Sequence, residues 1–145
     1  MKMKIVKDSI TPKLLDMDLK LSGIGNSIAQ IAIGDIRQHF IDESGPGGKW
    51  EDLSEYTIMR RRKEGNGYRI LRDTGQLFQS ISSQVSPTAV IVSAHRWSQG
   101  QNVAKLMNNG GKNQQGRNVP ARPYMWLSRN AKLDIKNMVI EKLKK

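Results

Sequence analysis

The stretch Ser82-Ser83-Gln84-Val85-Ser86-Pro87-Thr88-Ala89-Val90-Ile91-Val92-Ser93-Ala94 decides how the rest of this chain is read. Its β-branched residues favour a pleated backbone. Pro87-Thr88 interrupts them with a residue whose φ is fixed for a turn. Gln84-Val85-Ser86 and Ala89–Ser93 therefore predict a β-hairpin. Helical spacing holds on both sides of it, which makes the fold α+β: a long N-terminal helix and a C-terminal helix packed on a small, mainly antiparallel sheet, with short helices and a mobile basic loop.

Towards the N-terminus, Ile5-Val6 reads as a short strand, and Thr11-Pro12 as an N-cap followed by proline in the first turn. Leu14, Met17, Leu21, Ile24, Ile28 and Ile31 then recur every three or four residues, with Ala32, Ile36 and Phe40 continuing the stripe. This predicts a long amphipathic helix ending near Phe40. Gly23, Gly25 and Gly34 weaken it, marking close packing at those points or a break near Gly23–Gly25. Asp42–Gly48 is a loop by composition, and Trp50 and Leu53 are the apolar anchors after it. Ser54 or Asp52 caps a short helix through Thr57 to Lys63, stopped by Gly65. Another short helix starts at Asp73 or Thr74, turning Leu77, Phe78 and Ile81 inward.

Towards the C-terminus, a helical segment around Asn102–Met107 runs into Asn108-Asn109-Gly110-Gly111. Lys112–Asn118 is polar and contains glycine, so a mobile loop is expected. Pro120 and Pro123 stiffen an extended piece around Ala121-Arg122, and Tyr124-Met125-Trp126-Leu127 reads as an edge strand. Ser128 then caps a final helix carrying Ala131, Leu133, Ile135, Met138, Val139 and Leu143.

A chain of 145 residues fits one domain, spanning 1–145, with one core. It has no cysteine, which excludes a disulfide framework and zinc-thiolate sites and fits a reducing cytosol. Neither a signal peptide nor a membrane span is expected, because the N-terminal residues lack an apolar run and Leu21–Gly34 is broken by polar residues. The net charge of +11 is unevenly spread. No carboxylate lies between Asp73 and Asp134, whereas Arg96, Lys105, Lys112, Arg117, Arg122, Arg129 and Lys132 do. A second basic cluster is Arg60-Arg61-Arg62-Lys63. Such a field attracts a polyanion or an acidic protein surface.

Catalytic readings find little support. His39 and His95 lie in no ligand spacing, and a structural or surface role is the simpler assignment for both. Asp42-Glu43 and Glu51-Asp52 sit in or beside loops where solvation is the ordinary state. Gly45-Pro46-Gly47-Gly48 lacks the ending of a phosphate-binding loop. No catalytic residue, cofactor or metal ligand is predicted.

Four motifs remain. Pro46, Gly47, Trp50 and Leu53, with Thr57 and Arg61, form the first; Leu71, Thr74, Gly75 and Leu77 the second; Ala104, Asn108, Gly110 and Gly111 the third; and Pro120-Ala121-Arg122-Pro123-Tyr124 the fourth. In this order, from about residue 12 onward, they resemble the Mu-like phage virion morphogenesis family of tail completion proteins. The third motif departs from the family pattern: Val103 stands where an aromatic is common and Met107 where a histidine is common. His95–Gly100 looks like added length.

The resemblance implies a structural protein of the virion neck and tail, assembled in the host cytoplasm. It would join the tail to the head-side connector as a homo-oligomeric ring, hexameric in the particle, beside the tail tube or tail terminator. It implies structural roles for Trp50, Leu53, Leu71, Thr74, Gly75, Leu77, Gly110, Pro120, Ala121, Pro123 and Tyr124. Ring subunits meet through two different surfaces. The basic C-terminal half and the acidic Asp42–Glu55 region would serve, with Arg122, Arg117, Lys112, Arg60, Arg61 and Arg62 as assembly contacts and a basic lumen tolerating DNA. For Arg122 an intrachain tie is an equal reading. The alternative function is a basic module gripping nucleic-acid phosphates without sequence preference.

Overall fold

The computed structural model describes residues 1–6 and 23–144. Strands β1 (Lys2–Val6), β4 (Ser82–Val85) and β5 (Ala89–Ser93) form an antiparallel sheet in the order β1-β5-β4. The hairpin is as expected: Val85 stands opposite Val90, Ser82 opposite Ser93, and the Ser86 N–H closes the turn on the Ala89 carbonyl at 2.8 Å. β1 pairs on the other side of β5, from Lys2 opposite Ser93 to Val6 opposite Ala89.

Helix α1 (Gly25–Asp42) packs on β4 and β5, and the last helix, α5 (Arg129–Leu143), packs on α1. The stripe Ile28, Ala32, Ile36 and Phe40 is wholly buried, sharing one core with Ile5, Val90, Val92, Ile135 and Val139. The part of the long-helix expectation that falls on residues 12–22 lies outside the described residues. The glycines behave differently from one another. A side chain at Gly25 would run into Val85 Cγ1, so glycine lets the first turn of α1 approach β4. At Gly34 the space is open.

Capping side chains start three of the other four helices. Ser54 accepts the Thr57 N–H at the start of α2 (Glu55–Glu64), and Gly65 closes it at φ 73°. Gly75 precedes the single turn α3 (Gln76–Gln79). Asn102 accepts the Lys105 N–H to start α4 (Val103–Asn109), and Ser128 accepts the Ala131 N–H to start α5.

Three expectations need correction. The Asp42–Gly48 loop is a tight hairpin: β2 (Ser44–Gly45) and β3 (Gly48–Lys49) turn at Pro46-Gly47, and the Trp50 N–H extends the pairing to the Glu43 carbonyl. Lys112–Asn118 is also a hairpin rather than an irregular loop, formed by β8 (Gly111–Lys112) and β9 (Asn118–Val119). Its tip is held by the Asn113 carboxamide oxygen, which accepts the N–H groups of Gln115 and Arg117. Tyr124–Leu127 is not a strand. The Asn108 carboxamide oxygen takes the N–H groups of Tyr124 and Met125, at 3.1 and 2.9 Å, leaving neither for a ladder. A further hairpin, β6 (Trp97–Ser98) with β7 (Gln101–Asn102), turns at Gln99-Gly100, both with positive φ.

Candidate functional site

The first, third and fourth motifs meet at one junction. The Phe40 ring stands edge-on to Trp50 at 5.8 Å and to Phe78 at 5.5 Å, and tilted against Tyr124 at 5.1 Å. Trp50 is buried, and its indole N–H donates to the Pro123 carbonyl at 2.9 Å. Tyr124 is fully buried and donates its hydroxyl to the Ala104 carbonyl at 2.7 Å. Burial pushes that phenol well above its usual pKa, so it stays a neutral donor. Gly110 is confined by the same junction. Its φ is 72° with ψ 176°, and an added Cβ would lie 2.7 Å from the Ala121 nitrogen and 3.0 Å from the Val119 carbonyl oxygen.

Arg122 is buried in this junction. Its Nε and Nη2 donate to the carbonyls of Glu51 and Asp52, each at 2.9 Å, while its own N–H reaches the Met107 carbonyl. Burial pulls the guanidinium below its ordinary pKa, opposed chiefly by the Glu51 carboxylate; it remains charged. The intrachain tie is thus present, made to backbone rather than to a carboxylate. Pro120 and Pro123 are half-buried, Ala121 is exposed and Leu53 is half-buried.

The second motif is held by a separate polar network. Arg61 is buried and donates to the carbonyls of Gly67 and Arg69 at 3.0 and 2.7 Å. Arg60 spans Glu64 and Asp73, at 2.5 and 2.6 Å, and Asn66 donates to Asp73 at 2.8 Å. Burial alone would raise the Asp73 pKa. Hydrogen bonds from Arg60 and Asn66, with the charges of Arg61 and Arg60, outweigh burial and hold it below the usual value. Leu71 is buried at φ 60°, and Leu77 is buried behind Gly75 at φ 80°. Thr74 is exposed, its hydroxyl 3.4 Å from the Gln76 nitrogen.

The basic residues therefore divide into two sets. Arg60, Arg61 and Arg122 are engaged within the chain, while Arg62, Lys63, Lys112 and Arg117 are exposed. Arg117 lies 4.7 Å from the ring centre of Tyr56, linking the β8–β9 hairpin to α2. Asp42, Glu51, Asp52 and Glu55 are exposed, the middle two on the segment that Arg122 holds by its carbonyls.

Three polar residues that organise the fold escape a sequence reading. Asn108 clamps two amides, Glu43 accepts the Ile70 N–H at 2.9 Å, and Asp35 accepts both the N–H and the hydroxyl of Ser128. Asn108 and Gly110 stood in a motif, but their spacing gave no sign of which amides or backbone they would meet. His39 is buried, stacked on Trp126 at 3.9 Å, and donates to the Trp126 carbonyl. His95 is exposed. Among the described residues no group of three or more histidines and carboxylates is placed to hold a metal ion, and no helix is long and apolar enough to cross a membrane.

The model of the phage virion morphogenesis family matches residues 6–144, and the chain belongs to that family. No curated protein and no solved structure gives a match.

Proposed function

From membership in a virion morphogenesis family, we propose that this protein is a structural component of the phage tail's head-proximal end. It completes the tail and helps join it to the head-side connector, as a ring of identical subunits, six in the particle. The observation that carries this reading is the family match across nearly the whole chain. The use of the motifs supports it: their side chains lock the subunit and leave charged surfaces outside. One surface is the acidic Glu51–Glu55 segment, and the other is the basic β8–β9 hairpin with Lys112 and Arg117. The two adjoin, since Arg117 lies on the Tyr56 ring, and a neighbouring copy or partner would meet a surface on which acidic and basic groups lie side by side, which fixes orientation in the contact. A basic inner surface would tolerate passing DNA.

The test is a charge reversal of exposed residues. Lys112→Glu with Arg117→Glu should lower the melting temperature only slightly, because both side chains are exposed and the lost Arg117–Tyr56 contact contributes about 0.5–1 kcal/mol at an exposed site. It should also lower the yield of infectious particles, with heads and tails accumulating unjoined in electron micrographs. A normal yield would remove this hairpin from assembly. Steeply salt-dependent duplex binding, lost in the double variant while particles still form, would favour the nucleic-acid reading instead.

A further inference from the structure

Among the described residues β1 pairs only with β5, so its other edge carries unpaired backbone groups. A groove of about 380 Å³ runs between that edge and α5. Met3 and Ile5 point to one face of the strand and Lys4 to the other. The groove touches all three and no residue of β5, the neighbour on the paired edge, which places it at the free edge. The floor is apolar, made by Met3, Ile5, Leu127 and Leu133, the last 51% exposed. The rim is basic throughout: Lys4, Arg129, Lys132 and Lys136. Asp134, between Leu133 and Ile135 in sequence, does not line it. Among the described residues none of the four cations has a carboxylate within ion-pair distance.

We infer that this groove is a docking site for an extended, acidic segment of a partner protein, which adds to β1 as a strand. The strand edge supplies backbone hydrogen bonds, and the floor takes every second side chain of the incoming segment. The rim selects carboxylates on the remaining side chains. Duplex DNA matches the rim but not the floor, since phosphates gain nothing from Met3 or Leu133. The inference is independent of tail completion; it requires only a protein partner.

A fluorescein-labelled short peptide alternating valine with glutamate serves as probe, titrated into the full chain and followed by anisotropy and by amide NMR shifts. The peptide should bind and shift the β1 amides. The same peptide with lysine in place of glutamate should not bind, and one with a central proline should bind more weakly. Leu133→Glu alters an exposed position, so melting should be unchanged while affinity falls about tenfold. Lys132→Glu with Lys136→Glu should reverse the preference in favour of the lysine peptide. Absence of binding, equal binding of both peptides, or full affinity in the folded Leu133→Glu variant would overturn the proposal. So would a Leu133→Glu variant whose main defect, in sedimentation, is loss of self-association, which would make the groove a contact between copies. Loss of duplex binding as the only effect would assign it to DNA.

Discussion

Removing the Arg122 guanidinium strips two backbone carbonyls of charged donors inside a packed junction. Hydrogen bonds to charged groups contribute about 1.5–3 kcal/mol each, and part of the loss is recovered by water at the exposed Glu51 and Asp52. Arg122→Ala is expected to lower unfolding stability by about 3 kcal/mol in urea titrations, and Arg122→Lys by less. An unchanged midpoint for Arg122→Ala would separate this residue from the stability of the junction. Gly110→Ala should be as damaging or worse. The backbone there occupies a region almost closed to L-residues, at a strain of about 1–3 kcal/mol, and the methyl group would press on the Ala121 backbone. A cooperative melt within a few degrees of the parent would contradict that. Residue identity alone hides these roles. Composition marks Arg60, Arg61 and Arg122 as surface charge, because the carbonyls and the aspartate that engage them come from the folded backbone. Trp50 was legible as an anchor, since a large ring beside a turn has few other uses. Its acceptor on Pro123, 73 residues away, was not.

Elements were most readable where the signal is local. Ser54 and Ser128 announce helix starts because the cap and its amide lie three residues apart. Pro87 announces the β4–β5 turn for a similar reason. Tyr124–Leu127 misled because its apolar, aromatic run mimics a strand, whereas one Asn108 oxygen had already claimed the amides. α1 offers a clear test of element stability. Gly34 lies mid-helix with open space where a side chain would go, so Gly34→Ala should stabilise by about 1 kcal/mol. For a chain of this length that raises the melting temperature by about 3 °C. No gain would show that the helix needs its glycine. The α2 network should respond to acid. The folded-state pKa of Asp73 is depressed, so its contribution is complete above the unfolded-state value of about 3.9. It is lost as the pH falls through the depressed folded value. Asp73→Asn should therefore be less stable than the parent at neutral pH, with the two curves converging in acid. Parallel curves would mean that Asp73 carries no linked proton.

At the scale of the whole molecule, the core joins the first strand to the last helix. β1 pairs with β5, and Ile5 shares its surroundings with Ile135 and Val139. A chain cut before Val119 lacks the carbonyl that receives Trp50, the arginine that holds Glu51–Asp52 and the helix that covers α1. It should show no cooperative melting transition, and a sharp transition in such a fragment would show that the first 118 of the 145 residues fold alone. The same junction sets a clock on biosynthesis. Trp50 leaves the ribosome 73 residues ahead of its acceptor Pro123, which at about 5–20 residues per second is roughly 4–15 s. Through that interval the indole N–H and the Glu51 and Asp52 carbonyls remain hydrated and the hairpin before them has nothing to close upon. An interrupted translation product that stops short of Pro123 therefore never closes this junction, and the acidic Glu51–Asp52 segment is left without the arginine that fixes it.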